Sequence, residues 1–230
     1  MVLTEFHSMF PGSIRWRVTP RGVECEGSGL APVSAAARKR AREYLTRYRA
    51  LYAAASQAYG VPVELLIACS LTESDPAKPE TCFREEPGFV SDAETPDRVS
   101  AGFCQLLIST AREVVRDPGI DRQWLFNPGN SLRACAAYMK RQAAKTSYDP
   151  VYTACAYNAG GLYQNDNPNN RWRLRQYPIG SSKHADRFVE FFNAALELTE
   201  QGEMQELACR RYGELLGPSP VRTADAGSGG

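Results

Sequence analysis

Glu64-Leu-Leu-Ile-Ala-Cys-Ser-Leu-Thr-Glu73, followed at once by Ser74, Asp75 and Pro76, is an apolar helical run that ends on a carboxylate. Gly60 stops whatever helix precedes it, and Pro62 suits the first turn of the new one, where a missing N–H costs nothing. The run is apolar on all sides, so it predicts a buried helix with Glu73 at its C-terminal end. Partial desolvation there raises the proton affinity of a carboxylate and makes it a candidate general acid. Taken alone the position is weak evidence, because a Glu at a helix end is usually solvated.

Upstream, residues 34–59 are rich in Ala, Arg and Tyr, with Leu45, Tyr48, Leu51, Tyr52 and Ala55 at helical spacing. Residues 1–32 are rich in Gly and Pro. Within them Ile14-Arg-Trp-Arg-Val18 alternates and pairs with Val23-Glu-Cys25 across Pro20-Arg-Gly22, which predicts a short hairpin or an extended arm. Downstream, residues 75–101 carry Pro76, Pro79, Pro87 and Pro96 and read as one long loop. Thr110-Ala-Arg-Glu113 fits a capping box that opens a third helix. Asn127-Pro128 and Asp149-Pro150 each read as a cap and a first-turn proline, and the helix after Asp149 ends near Gly160-Gly161. A polar loop over 162–181 leads to a sixth helix capped by Ser182 and containing Phe188, Val189, Phe191, Phe192 and Leu196. A further helix is expected from Met204 to Leu216. The fold class is therefore mostly α: an arm or small hairpin over 1–32, a helical domain over 33–216, and a disordered Pro-, Ser- and Gly-rich tail over 217–230.

The bulk numbers exclude more than they assert. With 43% hydrophobic and 23% charged residues the chain is an ordinary globular sequence. A formal net charge of +1 gives no argument for nucleic acid as partner. Membrane insertion is not expected, because the apolar stretch Leu65–Leu71 falls far short of the roughly 20 residues a spanning helix needs. Glu5, His7, Pro11, Arg15 and Arg17 interrupt any secretory signal. Among the seven cysteines there is no C-x-x-C pair, and only His7 and His184 exist to complete a zinc site, so no metal and no cofactor is expected. Cys69, Cys104, Cys135 and Cys155 stand in apolar contexts and are expected to pack as small hydrophobes.

Three later segments supply what a cleft around Glu73 needs: Ser100-Ala-Gly-Phe-Cys-Gln105, Asn127-Pro-Gly-Asn130 and Ala156-Tyr-Asn-Ala-Gly160. Glu73-Ser74, Gly102-Phe-Cys-Gln105 with Ser109-Thr-Ala111, Asn127-Pro128 with Tyr138, and Ala156–Gly160 stand in the order found in the soluble lytic transglycosylase family. The chain resembles that family over about residues 60–195. The resemblance implies the goose-type lysozyme fold and cleavage of the MurNAc-β-1,4-GlcNAc bond of bacterial peptidoglycan glycan strands. Glu73 carries over as the acid that protonates the leaving oxygen and the base for the MurNAc C6 hydroxyl, giving a 1,6-anhydro end. One carboxylate then suffices, because the nucleophile comes from the substrate; ordinary glycosidases need two.

Around Glu73 the resemblance implies substrate-binding or supporting roles for Ser74, Gln105, Tyr157 and Asn158, whose amides and hydroxyls both donate and accept toward sugars; Tyr163, just after the Ala156–Gly160 segment, is a candidate for stacking on a sugar ring. Trp172 and Tyr177 are further candidates for stacking on sugar rings, Arg171 and Arg175 for peptide-stem carboxylates, and His184 and Arg187 for framing the cleft. Phe103-Cys104 stands where the family has Leu-Met, and the interval from Glu73 to Gly102 is longer than in the family's compact version. That interval holds Asp92 and Asp97, candidates for a second carboxylate that activates water, which makes a hydrolysing muramidase the alternative. A non-catalytic glycan-binding or virion module is a third reading, against which Glu73, Gln105 and Tyr157 argue. The substrate sets the place of action in the bacterial periplasm or wall. Without a visible signal, delivery by a phage, within a virion or by another export route is expected.

Overall fold

The computed structural model describes residues 2–217, so the tail expected to be disordered lies, beyond Gly217, outside the described residues. Its first element is a three-stranded antiparallel sheet, β1 (Trp16–Thr19), β2 (Gly22–Cys25) and β3 (Gly29–Leu30), with Trp16 opposite Cys25 and Thr19 opposite Gly22. The expected hairpin is its first half. Trp16, Val18 and Val23 turn one face inward, while Arg17 and Arg21 pair with Glu24 outside at 2.8 and 3.0 Å. The buried face lies on the last long helix, where Asn193 Oδ1 accepts the Val23 N–H at 2.9 Å.

Seven α-helices follow among the described residues, and the fold is helix-rich, the mostly α class expected. α1 (Ala35–Tyr59) starts where the Ser34 hydroxyl accepts the Ala37 N–H and stops at Gly60, whose φ of 65° is a left-handed cap. α2 (Val63–Glu73) is buried from Val63 to Thr72, as an apolar helix without a polar face must be. α1, α5 (Pro128–Thr146), α6 (Pro150–Ala159) and α7 (Lys183–Glu200) surround it. α5 and α6 begin at the predicted caps: Asn127 accepts the Asn130 N–H, and Asp149 accepts the N–H groups of Val151 and Tyr152. No helix among the described residues is long and apolar enough to cross a membrane.

Four expectations are corrected. The long loop over 75–101 carries two strands, β4 (Phe83–Glu85) and β5 (Val99–Ala101), which join β6 (Leu106–Leu107) in a second antiparallel sheet. α3 (Ile108–Val115) begins directly at the end of β6, two residues before the proposed Thr110 cap. The Ser109 N–H, one of those a helix start leaves without an intrahelical partner, donates to the Pro96 carbonyl at 2.9 Å. A short helix, α4 (Arg122–Phe126), precedes Asn127, its Asp121 cap accepting the Trp124 N–H. The expected Met204–Leu216 helix is a chain of turns ending in a 3₁₀ turn, Tyr212–Leu215. That segment is committed elsewhere: the Arg210 carbonyl accepts the Val63 N–H and the Tyr212 N–H donates to Glu64, so both serve the start of α2.

Candidate active site

α2 carries a glutamate at each end, and their surroundings differ. Glu64 is 1% exposed; one carboxylate oxygen accepts from Thr199 Oγ1 and the other from the Tyr212 N–H, both at 2.9 Å. Its bonding capacity is committed to holding the fold. The Glu73 side chain is 17% exposed and opens on one side to solvent. Burial pushes its carboxyl up to about 8, against the pull of the Arg187 and Arg84 guanidinium groups. At neutral pH Glu73 therefore holds its proton beside an open face, the condition a general acid requires.

The end of α2 is held from several sides. Ser74 leaves the helix in an extended conformation, and its hydroxyl bonds the Ser70 carbonyl at 2.6 Å and the Tyr44 hydroxyl at 2.8 Å. Arg40 donates to the Ser74 carbonyl at 3.0 Å and Arg187 to the Leu71 carbonyl at 3.2 Å. These bonds satisfy carbonyls that a helix C-terminus leaves open and fix the direction in which Glu73 projects. Ser74 is 2% exposed and acts here on backbone and Tyr44.

The Gly102–Gln105 turn forms a second wall. Gly102 has φ of 75°, and a Cβ there would lie 2.0 Å from the Leu125 carbonyl oxygen, so glycine is required twice over. Gln105 is left-handed as well, φ 46°. Its amide donates to the Cys82 carbonyl at 2.8 Å and the Gly102 carbonyl at 3.0 Å, and its Oε1 receives the Ser100 hydroxyl at 3.3 Å. Gln105 thus ties the turn to the strand before it. Phe103 is stacked on Tyr44 and tilted against Tyr48, and the Cys104 N–H donates to Ser131 at the start of α5. The Tyr157 hydroxyl donates to the Cys104 carbonyl at 2.9 Å, which joins the turn to α6.

The Cys135 thiol near Glu73 belongs to a group of buried cysteines. Cys69, Cys104 and Cys135 are all fully buried, and the Cys69 and Cys135 sulfurs are 3.6 Å apart. Among the described residues no group of three or more His, Cys, Asp or Glu side chains is arranged to hold a metal ion.

At the C-terminus of α6, Asn158 Oδ1 accepts the Tyr177 N–H, and its amide nitrogen lies 3.4 Å from Nδ1 of His184. His184 Nε2 is 3.6 Å from Glu73 Oε1, closer to the acid than the sequence indicated. Tyr163 is 47% exposed, with the Arg175 guanidinium over its ring, and Tyr177 is 50% exposed. Trp172 is not available for stacking on a sugar, a correction to the sequence reading. It is fully buried, edge-on to Trp16 at 5.2 Å, and donates to Asp186. Arg171 is paired with the same Asp186 at 2.8 Å.

The candidate second carboxylates are engaged or exposed. Asp92 forms an ion pair with Arg122 at 2.7 Å, whose hydrogen bond holds its carboxyl below the usual range. Asp97 has a side chain 63% exposed and faces Arg98 at 3.5 Å. In the same loop Glu85 pairs with Arg122 and Glu86 with Arg84. A separate depression of about 280 Å³, lined by Tyr138, Arg141, Gln142 and Gly160, does not include Glu73.

Arg84 was missed in the sequence because it lies in what read as featureless loop; its place in β4 brings it within electrostatic reach of Glu73. His184 was a candidate only for framing the cleft, with no partner named for it. That it is one of two histidines in the chain was the available signal.

No curated protein and no solved structure matches the chain. The family model described as transglycosylase SLT domain matches residues 50–176, a span that runs from within α1 through Glu73, Gln105, Asn127, Tyr157 and Asn158 to the strand-like loop after Tyr163. More than half of the sequence lies in that match: the chain belongs to the transglycosylase SLT domain family.

Proposed function

We propose that this protein is a peptidoglycan lytic transglycosylase in which Glu73 is the general acid and base. Membership of the family supports glycan-cleaving activity of the lytic transglycosylase or lysozyme kind, with peptidoglycan as substrate. The observation that carries the finer reading is a lone, proton-holding carboxylate: Glu73 is sheltered and raised to about 8, while Asp92, Glu85 and Glu86 are bound to arginines and Asp97 faces solvent.

The chemistry balances on one residue. Glu73 gives its proton to the oxygen linking MurNAc C1 to GlcNAc C4, and the C1–O4 bond breaks. The resulting carboxylate takes the proton of the MurNAc C6 hydroxyl as O6 bonds to C1. The products are a 1,6-anhydroMurNAc end and a GlcNAc with a free 4-hydroxyl, and Glu73 is returned protonated. Water is not consumed, so no second carboxylate is needed to activate it. Ser74, Gln105 and Tyr157 hold the acid and its facing wall in place, while the exposed Tyr163 and Tyr177 offer rings to the glycan. The place of action is the bacterial periplasm or wall, where that substrate lies.

Clearing of a cell-wall suspension tests the role of Glu73. Glu73→Gln keeps shape and removes the proton donor, and is expected to slow clearing by about 10²-fold or more. Equal clearing by the two proteins would contradict the assignment and favour a module that binds glycan without cutting it.

A further inference from the structure

The Asn158 amide is oriented by its environment. Its Oδ1 accepts the Tyr177 N–H, so its NH₂ group faces the imidazole of His184, 3.4 Å from Nδ1. On this orientation the ring proton is assigned to Nε2, because an Nδ1 that faces an amide N–H accepts. That Nε2 is buried, has no hydrogen-bond partner, and lies 3.6 Å from Glu73 Oε1. Buried donors are rarely left unpaired in native proteins, and an exception at a reactive group calls for a functional account. We propose that His184 is the positioning residue of Glu73: a neutral Nε2–H donor that closes on Oε1 as the carboxyl ionises and keeps Oε2 aimed at the scissile glycosidic oxygen. This rests on the acid and base role of Glu73.

The arrangement favours the ionised carboxyl over the protonated one, since an N–H bond to a carboxylate is shorter and stronger than to a neutral acid. The gain therefore arises during the step, as catalysis requires. The proton on Oε2 goes to the glycosidic oxygen and later returns from O6, while His184 keeps its own throughout. Burial and the neighbouring Arg187 push the imidazole down to about 4, against the pull of the Ala154 carbonyl, so it stays neutral near pH 7 and does not compete as an acid. The other groups facing Glu73 are Arg187 from α7, Arg84 from β4, the Cys135 thiol from α5 and the Tyr157 phenol from α6.

Steady-state rates on soluble peptidoglycan fragments, taken across pH for wild type, His184→Ala, His184→Gln and Glu73→Gln, test this. His184→Ala is expected to lower kcat about 10–100-fold with KM nearly unchanged, because the lost bond acts in the transition state. It should also move the alkaline limb of the kcat/KM profile to higher pH, since the Glu73 anion loses a donor. His184→Gln retains an N–H and should recover part of both effects. An unchanged kcat and alkaline limb in His184→Ala, or a folded His184→Gln that falls as far as His184→Ala, would overturn the proposal. Full activity in Glu73→Gln would remove the reading on which it rests, a failure that the His184 variants cannot mimic.

Discussion

Two glutamates on one helix separate structural from chemical use of a carboxylate. Glu64 is tied at both oxygens, whereas Glu73 is sheltered with one face open. The difference has a thermodynamic signature. Glu73 is raised from an unfolded value near 4.5 to about 8, so between those values the folded state holds a proton that the unfolded state has lost. Stability therefore falls as pH rises through that window. Glu73→Gln should raise the melting temperature at pH 8 by roughly 3–8 °C, an effect of about 1–3 kcal/mol, and leave it unchanged below about pH 4. Thermal melts of both proteins at the two pH values check this. Glu73 was legible as a candidate because an apolar run ending on a carboxylate is followed, in order, by the Gly102–Gln105, Asn127-Pro128 and Ala156–Gly160 segments. The inward use of Gln105, the burial of Trp172 and the approach of His184 were not, because each depends on partners distant in the chain: Cys82, Trp16 and Glu73.

Elements with strong terminal signals were readable, and those defined by neighbours were not. Ser34, Gly60, Asn127 and Asp149 mark the ends of α1, α5 and α6 through local bonds that the sequence alone specifies. β4, β5 and β6 are two or three residues long, too short for alternation to show, and α4 is a single turn or so. The final turns follow from what they bond, since the Arg210 carbonyl and the Tyr212 N–H complete the start of α2. Asp149 does more than cap α6. Its Oδ2 also accepts from Trp16 Nε1 at 2.9 Å and faces His7 Nε2 at 3.1 Å, joining the N-terminal segment to the helix. Burial works against a charged His7, yet the hydrogen bond and the charge of Asp149 prevail and its pKa is raised. A raised histidine adds stability that is complete below its unfolded pKa of about 6.5 and lost as pH rises through the folded value. His7→Gln should flatten that part of the pH dependence, while Asp149→Ala should cost about 2–4 kcal/mol in a denaturant titration, from the lost cap and the stranded indole N–H. In the second wall, Gly102→Ala should cost on the order of 3 kcal/mol and abolish clearing, because the turn must shift away from Leu125 and takes Gln105 with it.

Across the whole molecule, one apolar core runs from Trp16, Val18 and Val23 of the first sheet through α2 to Phe192 and Tyr212. The N-terminal sheet is built into the helical body: Trp16 packs on Trp172 and Tyr152, and Asn193 of α7 bonds both Val23 and Ala31. The intact chain should therefore melt in one cooperative transition, and removing residues 1–32 should lower its midpoint by more than about 10 °C by calorimetry. Sequence reading reached the hairpin but not this integration, because nothing local to residues 1–32 reveals that Trp16 meets Asp149. The same packing sets the functional question, since among the described residues it leaves Glu73 sheltered yet open to solvent at the site while the acidic loop is bound to arginines or faces water. Digestion of purified peptidoglycan followed by mass spectrometry of the new sugar ends reads the nucleophile directly. The account predicts 1,6-anhydroMurNAc ends; reducing MurNAc ends would contradict it and show that water attacks instead.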